Sequence, residues 1–193
     1  MVSSSVLDPE HHAVGQELAI GQAVFFDNGG AYQHGINVWD PVHGARPFVR
    51  WIGEWTKGAG DLGSDGVDLV WTYGEGKAPN DTSYPIRSVM AAPYTTDPDQ
   101  LQPRRLRSYP GGLGAWQWSV GCGYAANEGA GDDVMLIVRI ADGVSWPVPG
   151  MLGFIPQPFG VTCEEVFSLA KSGEDNTIVR IRLDSLGPGI PPD

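Results

Sequence analysis

The chain has 193 residues and 41% hydrophobic content, which suits one globular domain or at most two and excludes wholesale disorder. Its 12 Lys and Arg against 23 Asp and Glu give a net charge of −11, a sign that repels phosphate backbones and argues against nucleic acid as a partner. Gly (27) and Pro (16) recur between β-branched and aromatic runs, and sustained apolar spacing at i, i+3, i+4, i+7 is missing, so many short strands are expected and long helices are not.

Residues 1–17 are polar, with Pro9, His11 and His12, and read as a loose leader before a single domain over 18–187 and a tail over 188–193. The leader has neither a basic start nor an apolar stretch of signal-peptide length, so the chain as written reads as cytoplasmic. No run of 18 apolar residues is present, and membrane insertion is not expected.

A first unit spans about 18–52. It holds strand-like Ile20 to Phe26 and Gly35 to Trp39, a β-turn at Asp40-Pro41-Val42-His43-Gly44, and a third strand over Arg46 to Ile52. Gly53 to Gly63 carries four Gly and reads as a linker. The second unit, about 64–109, opens on the turn Ser64-Asp65-Gly66 before the alternating strand Val67 to Tyr73. Strands Tyr84 to Ala92 and Gln102 to Tyr109 follow, separated by Asp97-Pro98-Asp99. Asn80-Asp81-Thr82, in the loop between, has the form of a glycosylation sequon, incidental in most turns.

The third unit, about 115–149, begins with Trp116-Gln117-Trp118-Ser119-Val120 and continues as Val134-Met135-Leu136-Ile137-Val138-Arg139-Ile140, an apolar run that suggests a strand buried on both faces. Asp142-Gly143 signals a tight hairpin returning through Val144 to Val148. Gly150 to Pro158 reads as a loop. The fourth unit, about 159–185, shows two clear strands, Phe159 to Leu169 and Thr177 to Leu183, although Cys163 to Lys171 also suits two helical turns. The tail from Gly187 to Asp193 is too rich in Pro to pair as a central strand.

Four β-rich stretches begin at residues 20, 65, 121 and 162, steps of 45, 56 and 41 residues, and each is followed by a second β-rich stretch. Paired strands at a period in the forties are the sequence signature of propeller-like blades. The expected fold is therefore all-β, with about four such blades of antiparallel strands; a β-sandwich is the alternative, because short strands with regular turns suit one too.

Ser64-Asp65-Gly66-Val67-Asp68-Leu69-Val70-Trp71 together with Pro85-Ile86-Arg87-Ser88-Val89 resembles the TolB-like and WD40-like β-propeller repeats. The resemblance spans about residues 18–185 and implies radial blades of four strands around a channel, with binding loops at the ends. It also allows the chain to be the C-terminal part of a larger propeller, whose full-length parent would belong to the cell envelope.

Seven Trp are the main candidates for binding. Trp116 and Trp118 are two apart and share a strand face, and Trp55 sits in the Gly-rich stretch where exposure is expected. These three form the candidate platform for a sugar or a Pro-rich peptide; blade-to-blade packing uses the same residue type. Cys122 and Cys163 occupy matching positions in units three and four, which makes a disulfide sterically conceivable, two buried thiols being the other reading.

No catalytic residue stands out. His11, His12, His34 and His43 match no zinc spacing, although His34 and His43 flank a hairpin with Asp40. Asp61, Asp65 and Asp68 lack the bidentate Glu of a calcium loop, so neither a metal nor a cofactor is expected. Arg104, Arg105 and Arg107 form the one basic cluster; on a regular strand, Arg105 and Arg107 share a face and Arg104 lies opposite.

The leading functional expectation is a non-enzymatic binding or scaffold module presenting loops to a protein, peptide or glycan. The alternatives are a propeller-based hydrolase or lyase using channel carboxylates or a divalent metal, and a truncated fragment without activity of its own. Open blade edges make self-association a further expectation.

Overall fold

The structure, a computed structural model, describes residues 17–27, 36–49, 57–75, 86–110, 118–128, 134–149, 155–172 and 175–192. Strands dominate them, and the fold is all-β. The first sheet joins β1 (Glu17–Ile20), β2 (Ala23–Asp27), β3 (Ile36–Asp40) and β4 (Gly44–Val49), each antiparallel to the next. The second joins β5 (Lys57–Ser64), β6 (Asp68–Glu75), β7 (Ile86–Pro93) and β8 (Arg104–Pro110) in the same order. The third contains β9 (Ser119–Gly121), β10 (Tyr124–Glu128), β11 (Val134–Arg139) and β12 (Ser145–Pro149). The fourth has three strands, β13 (Ile155–Val161), β14 (Glu165–Ser172) and β15 (Asp175–Arg182).

Alternation along each strand decides how the sheets stack, because successive side chains leave opposite faces. On β6, Leu69 and Trp71 turn toward the first sheet and join Phe25, Ile36, Val38 and Phe48 in one cluster. Val70, between them, turns the other way and packs with Trp118, Ala125, Leu136 and Val138 of the third sheet. The β11 run repeats the device. Leu136 and Val138 face the second sheet, while Met135 and Ile137 face the fourth, beside Val166. All four are at most 2% exposed, so this strand is buried on both faces, as its continuous apolar sequence predicts. Each such side chain contributes about 1.5–3 kcal/mol by leaving water. Three clusters thus lie at three successive junctions; among the described residues, none lies between the fourth sheet and the first.

Several stretches fold otherwise than the sequence suggests. The stretch from Gly53 to Gly63, expected as a linker, contains most of β5, which pairs with β6 from Lys57↔Glu75 to Ser64↔Leu69. Its glycines serve a close approach: a Cβ on Gly63 would fall onto the Trp118 carbonyl, and one on Gly121 onto the Val161 carbonyl. The first strands of neighbouring sheets can pack this tightly only without side chains there.

The Ile20–Phe26 and Gly121–Ala126 stretches are not single strands. Each crosses a tight turn, at Gly21-Gln22 and at Cys122-Gly123, and belongs to two strands. Within Cys163 to Lys171 the chain forms β14, not a helix. Val166 and Ser168 are buried while Phe167 and Leu169 are half-exposed, a period of two, and β15 pairs along its whole length. Part of the Gly150 to Pro158 stretch belongs to β13, so the fourth unit has three strands where two were expected. The tail does not stand apart either: Ile190 forms an antiparallel bridge with Ser145, at the outer edge of β12.

Candidate functional site

The two ends of the sheets differ. Because strands alternate in direction, the turns β1–β2, β3–β4, β5–β6, β7–β8, β9–β10, β11–β12 and β13–β14 share one end. Local hydrogen bonds close them. Asp40 Oδ1 accepts from the amides of Val42 and His43, Asp65 Oδ1 from those of Val67 and Asp68, and Thr162 Oγ1 from those of Glu164 and Glu165. Neighbouring sheets touch there: Arg46 donates to the Thr96 carbonyl at 2.8 Å, and Cys122 is disulfide-bonded to Cys163 with Cα atoms 5.0 Å apart. A span of 4.4–6.8 Å is normal for such a bridge.

The remaining connections start from the opposite end. Segments 28–35, 76–85, 129–133 and 173–174 leave from it, as do the sheet-to-sheet connections 50–56, 111–117 and 150–154. Trp55, Trp116 and His34 belong to these segments and lie outside the described residues, as do His11, His12 and the Asn80 sequon.

Trp118 is placed differently from a ligand platform. Its ring is 3% exposed within the cluster between the second and third sheets, and Nε1 donates to Thr72 Oγ1 at 3.0 Å. Packing takes up this side chain on both its apolar and polar sides. Trp71 is likewise buried, and Trp146 sits under the tail, with Nε1 donating to the Gly187 carbonyl at 3.1 Å.

The basic cluster departs from simple alternation. The β7–β8 register steps past Leu106 between Val89 and Met90, a bulge that turns Leu106 into the core beside Val138 and Ile140. Arg104 and Arg107 consequently both reach the third sheet: Arg104 donates to the Ile140 carbonyl, and Arg107 Nη1 to Ser145 Oγ at 2.9 Å. These are carbonyl and hydroxyl contacts that fasten two sheets.

Among the acids, Asp40 is the most perturbed. Burial pushes its carboxyl up, but hydrogen bonds from Arg46, from the His43 and Val42 amides and from the His43 ring outweigh that and hold it well below the usual range. Asp68 goes the other way: burial, and then the charge of Asp65, push its pKa up against the pull of Arg104. Among the described residues no three His, Cys, Asp or Glu side chains converge as a metal set, and no helix there is long and apolar enough to cross a membrane.

Sequence reasoning missed the seat of the tail. The signal available was the juxtaposition of Gly187-Pro188-Gly189, a sequence that removes side chains and one amide donor, with an Arg cluster rich in donors. Neither a protein-family model nor a curated protein matches the chain.

Proposed function

We propose that the chain is a non-enzymatic binding or scaffold module of propeller-like blades, in the manner of the TolB-like and WD40-like repeats it resembles. It presents the connections at one end of its sheets to a protein, peptide or glycan. The observation that carries this reading is a rigid scaffold: sheets packed face to face through three apolar clusters and fastened to one another at one end. One end is closed by hydrogen bonds within its own turns, the β7–β8 connection over 94–103 included, and by a disulfide, a stabilising arrangement. Trp55 and Trp116 belong to segments 50–56 and 111–117, which join one sheet to the next at the other end and lie outside the described residues. Recognition concentrates on loops held by a rigid scaffold. Trp55 and Trp116 are the ligand-binding residues of this reading, since aromatic rings bind sugars and Pro-rich segments alike.

The test is retention of the purified chain on arrays of glycans and extended peptides. The reading requires at least one class to be retained, and Trp55→Ala or Trp116→Ala to abolish that retention while the circular dichroism of the folded chain persists.

Self-association is a second reading, favoured by the fourth sheet. Among the described residues its third strand, β15, ends the sheet where the others have a fourth strand, and Ile178 on that strand stands 64% exposed. An open edge carrying an exposed apolar side chain is a template for pairing with another chain. Size-exclusion chromatography with light scattering separates a defined dimer from a monomer. A monomer at all concentrations removes this reading and leaves the first intact.

A further inference from the structure

Residues 187–192 lie as a strap along the groove between β8 and the outer edge of β12. We infer that this groove is a binding site for Gly/Pro-rich peptides of a separate polypeptide, held in cis by the chain's own tail until such a peptide displaces it. It is a different surface from the connection end and does not depend on the reading given for that end.

The contacts define the chemistry that the groove selects. Trp146 Nε1 donates to the Gly187 carbonyl at 3.1 Å. Ser145 donates its amide to the Ile190 carbonyl at 3.0 Å and accepts the Ile190 amide at 2.8 Å. Arg107 Nη1 reaches the Ile190 and Pro191 carbonyls at 3.2 and 2.9 Å while also donating to Ser145 Oγ. Every contact falls on the peptide backbone, and all but one fall on a carbonyl oxygen. Only position 190 must supply an N–H, so proline at 188, 191 and 192 forfeits nothing.

Two positions favour glycine: Gly187 holds φ 65°, and Gly189 lies against the groove floor. A Cβ on Gly189 would strike Val144 Cγ1 and lie 2.7 Å from Trp146 Cε2, so the groove floor fits only a bare backbone there. The preferred ligand therefore reads Gly, then a residue with a free amide, with Pro accepted on either side. Prolines preset the backbone, which lowers the entropy lost on binding.

The same contacts explain why the tail can leave. It is fixed by one bridge and a few carbonyl contacts, Ile190 is 44% exposed, and Gly187, Pro188, Pro191 and Pro192 are exposed, so little apolar surface anchors it. A peptide that adds a strand to a sheet edge gains affinity from main-chain hydrogen bonds and specificity from such side-chain restrictions.

The experiment uses the full chain carrying Gly189→Val, whose side chain collides with Val144 and Trp146 and dislodges the tail. The probe is a fluorescein-labelled synthetic peptide with the sequence of residues 186–193. The expected result is at least tenfold tighter binding by G189V than by the wild-type chain, whose tail competes. A second substitution, Arg107→Ala, is expected to weaken binding by G189V at least tenfold, and a peptide with Val in place of its second glycine is expected not to bind. Binding that is equally weak in all proteins, or indifferent to Arg107, overturns the proposal.

If G189V does not fold, amide exchange on the wild-type chain decides. Exchange of the Ile190 and Ser145 amides ahead of those in β11, faster still with added peptide, supports a displaceable strap. Exchange only with global unfolding overturns it. Concentration-dependent dimers that the peptide dissolves would assign the groove to the tail of a second copy and overturn a separate partner.

Discussion

Arg46 bridges two sheets through Asp40: its Nη1 lies 2.6 Å from Asp40 Oδ2 in the first sheet, and its Nη2 donates to the Thr96 carbonyl in the second. Asp40 itself caps the β3–β4 turn by accepting the amides of Val42 and His43. One carboxylate thus orders a turn and aims the guanidinium that fastens the neighbouring sheet. A neutral Asn at position 40 keeps an oxygen for the turn amides but loses the charge that holds the guanidinium.

This arrangement sets a pH dependence. The Asp40 carboxyl titrates below its unfolded value, so the stability it supplies is present above the ordinary carboxylate range near ~4 and is lost as pH falls from there toward its own lower value. Thermal unfolding of the wild-type chain is expected to weaken steeply below about pH 4. Asp40→Asn should be less stable at neutral pH and flatter over the acid range. Asp68 has the opposite sign, since its raised pKa means that the ionised form is disfavoured by folding. Asp68→Asn is expected to raise the melting temperature at pH 7, and the gain should vanish as pH falls through Asp68's raised value. Equal acid slopes for wild type and D40N would contradict the role given to Asp40.

The disulfide fastens the turn of the third sheet to the turn of the fourth, closing a separation of 41 residues. In the loop-entropy account this is worth about 4 kcal/mol, acting through the unfolded chain. Cys122→Ser with Cys163→Ser, and the wild-type chain in excess dithiothreitol, should both lose close to that amount in urea unfolding. The two should agree with each other. A double variant as stable as the oxidised chain would show that the bridge does not form.

Close approach at the first strands gives a sharper steric test. Gly121→Ala places a Cβ against the Val161 carbonyl, a backbone atom that cannot swing aside, whereas Gly160→Ala meets only Phe167 at ordinary van der Waals distance, 3.9 Å. The first should cost at least about 2 kcal/mol and the second well under that. Urea midpoints of the two variants check the contrast, and equal midpoints would mean that the sheets are spaced more widely.

Trp118 and Thr72 share a buried hydrogen bond across the second junction, with exposures of 3% and 4%. Trp118→Phe leaves the Thr72 hydroxyl without its donor and should cost about 1–3 kcal/mol. Adding Thr72→Val removes the orphaned group and should recover part of the loss. A double-mutant cycle that closes without coupling would place Trp118 elsewhere.

The parts of the fold that were legible in the sequence are those set by local chemistry. Val134 to Ile140 announces its burial because both faces of β11 meet another sheet, and Asp142-Gly143 marks a hairpin because the turn itself demands those residues: the Gly143 amide donates to the Arg139 carbonyl at 2.9 Å. What was illegible depends on tertiary contacts. The glycines of β5 look like a linker because their purpose, room for the Trp118 backbone, lies 55 residues away, from Gly63 to Trp118. The Leu106 bulge, which brings Arg104 and Arg107 to the same neighbour, leaves no trace in a pattern of alternating residues. Of the candidate binding residues, Trp118 could not be separated from its neighbour Trp116 by spacing alone, since a shared strand face says nothing of what covers it. The tail's seat was hidden for a similar reason: its glycines and prolines look like an ending until the Arg107 guanidinium is found beside them.

Under the proposed function the turn end supplies stability and the connection end recognition, so the most direct measurement reads both properties on the same proteins. Melting temperature and retention on glycan and peptide arrays should be recorded for wild type, for Trp116→Ala, and for Cys122→Ser with Cys163→Ser. The account predicts that Trp116→Ala loses an array signal that wild type shows and keeps its melting temperature. The cysteine variant should do the reverse. Retention of no glycan or peptide by the wild-type chain, or retention that survives Trp116→Ala and Trp55→Ala alike, would contradict a binding module that works through that end.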